Sequence, residues 1–333
     1  MSPLFFVHIP KTAGTSFRLG AEQFFGKSRI VYDYGKASSE TSSLTQQTLY
    51  GKRPDVWAFG RGCDHQQAAM VGGHVSISRF VSLFGVGKTM TFLREPLQRM
   101  VSEHAHFVRH NGYQGSFRDF FTRPMSHNRQ RAILHGVPPE AIGFLGLTER
   151  YPEGLELLNE HFAIQIPHRQ DNRGKASVAA AHEVNAEDEA EFWRINRQEL
   201  SFYRRCKALF DTRMGLHRDG LPYAHAAMIE ASAQRVVGWA WWPASNGNDE
   251  SDEPVEVEVL VNDERRASLL ATELRSELCR LLPPRGGYVG FHLPVKLKPG
   301  DRVQCRVAST GQCFPPRYRR VPKPEDAGQG GRS

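Results

Sequence analysis

Up to about Leu216, short apolar runs alternate with stretches in which apolar residues recur every three or four positions. The runs predict strands near residues 4–9, 29–33, 69–73, 88–93 and 143–147, with helices between them. Strand and helix in alternation imply a parallel α/β sheet flanked by helices. Residues 196–216 carry Leu200, Tyr203, Ala208, Leu209 and Phe210 at near-helical spacing among Arg and Lys, a closing amphipathic helix. Gly215 and Gly220 then punctuate the chain.

Beyond Pro222 the period changes to two. Val255-Glu256-Val257-Glu258-Val259-Leu260-Val261 alternates apolar and acidic residues, and Asn262-Asp263 follows as a turn. Further strands are expected at 226–231, 235–242, 265–271, 287–295 and 302–308, enough for a small all-β sandwich. The organisation expected is an α/β domain at 1–220, a β-sandwich domain at 223–320 and a disordered tail at 321–333 rich in Pro and Gly. Within the second domain the acidic loop 245–253 reads as mobile. Gly238-Trp239-Ala240-Trp241-Trp242-Pro243 admits two readings, a sugar-stacking surface or packing, with Trp239 and Trp241 on one face suiting the sandwich interior. No internal repeat crosses either domain.

Composition narrows the partners. The 333 residues are 40% hydrophobic and 24% charged, ordinary globular material long enough for two cores. A net charge of +7 and a pI near 9.2 favour anionic partners. The basic residues are spread out, which suits an anionic nucleotide or polysaccharide better than a nucleic-acid groove. Five cysteines without a CxxC pair argue against a zinc site and a disulfide framework, and fit a reducing, cytoplasmic compartment. No leader pattern opens the chain and no run of eighteen apolar residues occurs, so no transmembrane segment is expected. Peripheral membrane association stays open.

The candidate chemistry begins where the first strand ends, in His8-Ile9-Pro10-Lys11-Thr12-Ala13-Gly14-Thr15-Ser16. A loop of small residues lets several backbone N–H groups converge on one oxyanion at the positive end of a following helix, and phosphate or sulfate is the natural guest. Lys11 stands before Gly14. The nucleoside-triphosphate loop puts its lysine after the last glycine, so a plain triphosphatase or a magnesium-dependent kinase is disfavoured. The alternative is a loop whose small residues merely permit tight packing. A second constellation, Thr91-Phe92-Leu93-Arg94-Glu95-Pro96, ends a strand in Arg94, starts a helix at Pro96 and reaches Ser102 one and a half turns in. A guanidinium fork and a hydroxyl above a sheet suit a terminal phosphate.

Together, His8 to Ser16 and Leu93-Arg94-Glu95-Pro96 with Arg99 and Ser102 resemble the two nucleotide-binding loops of sulfotransferases. Gly73-His74-Val75-Ser76 resembles the Gly-His-Val motif of the branch that includes heparan sulfate 2-O-sulfotransferases. The likeness continues through Leu145 to Tyr151, with Leu155 and Leu157-Leu158, to a closing helix at 196–210. The resemblance implies a P-loop-like sheet, the donor 3′-phosphoadenosine 5′-phosphosulfate (PAPS, leaving as PAP), no metal, and an acceptor hydroxyl on a carbohydrate, polysaccharide or glycolipid. It assigns residues 11–16 to the 5′-phosphosulfate, and Arg94 and Ser102 to the 3′-phosphate.

In-line transfer requires a base for the acceptor proton and a cation at the leaving oxygen, expected here to be His74 and Lys11. Two departures stand out. Gly72 occupies the position where the 2-O enzymes carry a second histidine, and Glu95 replaces the usual Asp. His106 and His110, with Arg109, either face an anionic acceptor or form a solvated stripe, and His8 is expected to line the acceptor cleft. The β domain is expected to orient acceptor or partner. The rival reading is a non-catalytic nucleotide- or glycan-binding protein on the same fold, kept alive by the missing second histidine.

Overall fold

The computed structural model describes residues 2–169, 184–243 and 252–322. The chain separates into two compact units, Met1–Pro139 with Phe144–Phe210, and Glu140–Gly143 with Asp211–Ser333. Most of the acidic loop expected at 245–253 and all but the first two residues of the expected tail lie outside the described residues.

In the first unit each predicted apolar run contains a strand: β1 (Leu4–Val7), β2 (Ile30–Asp33), β3 (Met70–Gly73), β4 (Thr89–Leu93) and β5 (Phe144–Leu147). All pair in parallel in the order β2-β3-β1-β4-β5. The helices are α1 (Gly14–Phe25), α2 (Ser43–Leu49), α3 (Val56–His65), α4 (Val81–Phe84), α5 (Pro96–Asn111), α6 (Phe117–Phe121), α7 (Arg129–Ile133), α8 (Tyr151–Phe162), α9 (Ala186–Ile195) and α10 (Arg197–Arg218), the last assigned to this unit only as far as Phe210. Helix α1 turns Phe17, Gly20 and Ala21 inward at helical spacing. Phe17 lies 4.5 Å from Phe6 of β1 and 5.5 Å from Phe92 of β4, ring to ring, and Phe92 lies 5.5 Å from Phe144 of β5. Burying each such ring contributes about 1.5–3 kcal/mol, which fixes α1 over the centre of the sheet.

From β1 the chain crosses to β2 on one side, and from β4 it moves to β5 on the other. Loops leaving the carboxyl ends of β1 and β4 therefore diverge. That divergence opens the crevice in which open α/β sheets hold ligands.

The second unit has two antiparallel sheets. One orders β10 (Glu273–Leu274), β11 (Tyr288–Pro294), β7 (Arg235–Trp241) and β6 (His225–Ala231); the other orders β13 (Arg319–Arg320), β12 (Arg302–Val307), β8 (Glu256–Val261) and β9 (Glu264–Leu270). Val236, Ala240 and Phe291 from the first pack with Val257, Val259, Val261, Val303, Cys305 and Val307 from the second, the inner faces of a sandwich. Asn262 and Asp263 take φ of 51° and 69°, the left-handed pair of a tight hairpin turn between β8 and β9. Strands β10 and β13 are too short for a period of two to show in sequence.

Two details differ from expectation. Trp239 and Trp241 do share a face, stacked 4.4 Å apart, but the sandwich core takes the alternate residues Val236 and Ala240. The two indoles are 2% and 3% exposed, and Trp241 stacks on His225, so neither offers a free face to a sugar. Val321, placed by sequence at the head of the tail, is 2% exposed and donates its N–H to the Asp301 carbonyl. Segment 140–143 groups with the second unit because buried Arg213 donates to the carbonyls of Glu140 and Ile142, and the Tyr223 hydroxyl to that of Gly143.

Candidate active site

Three neighbouring strands end in the candidate residues. Val7 of β1 lies in register with Gly73 of β3 and Thr91 of β4, so the segments that follow emerge side by side. His74 leaves β3, the 8–16 loop leaves β1, and Arg94 leaves β4. Gly73 is fixed by contact, since a Cβ there would sit 1.9 Å from the Asp33 carbonyl oxygen of β2.

The 8–16 loop is shaped by backbone cost. Lys11 and Ala13 hold φ of 70° and 64°, a left-handed region that costs non-glycine residues about 1–2 kcal/mol each. Thr12, 1% exposed, steadies the turn by donating from its hydroxyl to the Ile9 carbonyl at 2.9 Å. Ala13 precedes α1 and supplies no side-chain cap. The first amides of α1 lack intrahelical acceptors and point, with the positive end of the helix, toward the loop. Gly14 is obligatory: a Cβ there would meet the His8 ring at 2.0 Å. Thr15 is exposed and Ser16 half-buried on the first turn.

Two imidazoles and a phenol meet beside this loop. The His8 and His74 ring centroids are 4.4 Å apart, that of Tyr34 is 4.8 Å from His74, and His8 Nδ1 lies 2.9 Å from the Tyr34 hydroxyl. His8 is 7% exposed, buried between Tyr34 and Gly14, rather than lining an open cleft as the sequence suggests. Burial first, then His74, Arg18 and Lys11, lower its pKa to about 3. His74 is accessible yet crowded by protein. Desolvation and then the Arg129 cation lower its pKa to about 4, so it is neutral at pH 7. Both values lie below the ordinary 6.5, so the unfolded chain takes up these protons first as pH falls. Their preference for the neutral fold is complete above pH 6.5 and is lost toward pH 4 and 3. The midpoint of urea unfolding should therefore fall between pH 6.5 and 4.5, before most carboxylates titrate, and His8→Phe should flatten that fall.

Arg94 is held through its backbone. Its N–H donates to Gln130 Oε1 at 2.9 Å, and Gln130 Nε2 donates to its carbonyl at 2.8 Å. Gln130 is fully buried on α7, whose first amides, those of Gln130 and Arg131, donate to the Glu199 carboxylate. On the other flank, the Thr148 hydroxyl donates to the Leu93 carbonyl and Glu149 accepts the Glu95 N–H. Glu95 caps α5 by accepting from the amides of Leu97 and Gln98. The guanidinium donates from Nη1 to the Lys11 carbonyl at 3.5 Å, which ties it to the 8–16 loop. Gln130→Leu would strand the two main-chain groups and is expected to cost about 2–4 kcal/mol. Urea unfolding checks the cost, and loss of affinity for a 3′-phosphate checks the positioning.

Helix α5 supplies one further wall. Arg99 is 1% exposed and paired to Glu103 at 2.8 Å, so it is an internal ion pair. Ser102 is half-buried and makes no side-chain hydrogen bond among the described residues. Desolvation, then the charges of Arg109 and Arg94, lower the Lys11 pKa, with Glu103 opposing. His106 is lowered by desolvation and then by Lys11, and its ring lies 4.8 Å from that of His110. The α5 stripe therefore shares the electrostatic neighbourhood of Lys11. Sequence reasoning missed Tyr34, Gln130 and Glu199, each a lone polar residue whose partners are remote in the chain.

No family model matches the chain, and no curated protein matches it. Among solved structures it is similar to a sulfotransferase from Alicyclobacillus acidocaldarius, at 15% identity and a TM-score of 0.36, over 63% of this chain and 96% of that one. That likeness is too slight to carry a functional argument. Among the described residues, no helix is long and apolar enough to cross a membrane.

Proposed function

We propose that the protein is a sulfotransferase that moves a sulfuryl group from PAPS to a hydroxyl of a carbohydrate acceptor. The observation that carries this reading is the convergence, at the ends of three adjacent strands, of an anion-shaped loop with Lys11, a backbone-clamped Arg94 and an accessible neutral His74. The loop fits a phosphosulfate in chemistry. Two strained residues and an obligatory glycine present a helix start uncapped by any Ala13 side chain, with a lysine beside it and no carboxylate in the 8–16 segment.

In this reading residues 11–16 would hold the 5′-phosphosulfate, and Arg94 with Ser102 the 3′-phosphate. When bound, the donor supplies a sulfuryl group activated by its link to phosphate. Lys11 meets negative charge at the bridging oxygen, and the loop amides share it. His74, neutral at pH 7, takes the acceptor hydroxyl proton on a ring nitrogen. The charge of Arg109 bears on Lys11 and that of Arg129 on His74, a positive electrostatic neighbourhood consistent with an anionic acceptor.

A thermal-shift comparison tests the donor. Stabilisation by adenosine 3′,5′-bisphosphate and not by Mg-ATP is expected, and the reverse would replace the reading with a kinase. Transfer of radiolabelled sulfate from PAPS to a panel of glycans then separates an enzyme from a non-catalytic binder.

A further inference from the structure

We infer that His8 is a donor-binding residue, held as its neutral Nε2–H tautomer by Tyr34 and donating a hydrogen bond to the anion in the 11–16 loop. The identity of that anion rests on the proposed function; the hydrogen bond does not.

The ring is 7% exposed, and its Nδ1 lies 2.9 Å from the Tyr34 hydroxyl. The Arg18 guanidinium carbon lies 5.8 Å from the Tyr34 ring centroid, a cation beside the phenol that makes its hydroxyl the stronger donor. In this inference the Tyr34 hydroxyl sends its proton to His8 Nδ1, leaving the ring proton on Nε2. Glu40 pairs with Arg18 and Glu22 lies 3.8 Å from it, so the chain of contacts is anchored at its far end. Nε2 has no hydrogen-bond partner among the described residues. It lies directly over Gly14, 2.1 Å from where a Cβ would stand, at the first residue of a twelve-residue helix. On a ring otherwise buried, a reachable nitrogen with no protein partner, placed over a helix start, is positioned to meet an acceptor held there.

The charges around the ring explain why it donates as a neutral group. Lys11, Arg18, His74 and the positive end of α1 face it, and no carboxylate touches it. An imidazolium would be repelled on every side. A neutral N–H can orient an anion's oxygen without giving up its proton, leaving charge compensation to Lys11.

Calorimetry with two nucleotides tests this. Adenosine 3′,5′-bisphosphate places a phosphate in the loop, whereas adenosine 3′-phosphate does not. His8→Phe keeps the ring shape and removes the donor, so it should weaken the bisphosphate about tenfold or more and leave the 3′-phosphate unchanged. His8→Gln, which restores an N–H near Nε2, should recover most of the loss. Equal bisphosphate affinity in wild type and His8→Phe would overturn the inference.

If wild type binds neither nucleotide, the donor reading fails on its own. Histidine-15N NMR of the wild-type protein with inorganic pyrophosphate still decides the role of His8. A His8 Nε2–H signal that moves downfield on titration supports it. A proton on Nδ1, or an unmoved Nε2–H signal, refutes it.

Discussion

Replacing Lys11 with alanine is expected to lower kcat by about 10²–10³-fold while leaving the fold intact. The side chain heads a loop whose conformation is set by its backbone, with φ of 70° at Lys11 and 64° at Ala13 and the Thr12 hydroxyl bound to the Ile9 carbonyl. Alanine keeps the Cβ and hence the backbone preference, so the substitution removes the ammonium and little else. Its pKa is lowered by desolvation and then by Arg109 and Arg94, with Glu103 opposing, so the group stands in a partly dry site where a charge contact counts for more than in water. A charge that is met chiefly as the bridging oxygen leaves should appear in kcat more than in KM. Steady-state kinetics on the folded variant decide it, and an unchanged kcat would remove Lys11 from the chemistry.

His74→Ala is expected to cost about 10²–10⁴-fold in kcat/KM, the range for loss of a general base. The pH dependence gives a sharper signature. With the His74 pKa lowered to about 4, the imidazole remains unprotonated well below pH 6.5. The kcat/KM of the wild type should stay level from pH 8 to about 5.5 and fall only as the profile approaches 4. Since Arg129 is the largest charge lowering it, Arg129→Gln should move the acid limb upward. A wild-type limb centred at 6.5 would mean that the group titrating is not His74 in this environment.

The fold was legible because the parallel strands are apolar runs with little alternation, and the sandwich strands alternate with period two. Both signals are local. The short edge strands β10 and β13 carry none, and the two-residue pairings are imposed by their neighbours. In the candidate site, the motif residues of the 8–16 loop, His74 and Arg94 could be read because each follows an apolar run. What holds them could not. Gln130 clamps Arg94 from 36 residues away and Tyr34 meets His8 from 26 away. A single glutamine or tyrosine has no periodic context to mark it. Gly14 and Gly73 stood out as small residues, but the His8 ring and the Asp33 carbonyl that demand them appear only once the strands are in register. The tryptophans show the converse: alternation put Trp239 and Trp241 on one face correctly, and could not say which face the opposing sheet would cover.

The central claim is that the loops after β1 and β4 form one donor site. Isothermal titration of the full chain with adenosine 3′,5′-bisphosphate, in wild type and in Lys11→Ala and Arg94→Ala, tests it most directly. The account predicts one site per chain, weakened at least tenfold by either substitution, with the Arg94 loss alone persisting for adenosine 3′-phosphate. Absence of bisphosphate binding by the folded wild type, or affinity indifferent to both residues, would contradict it.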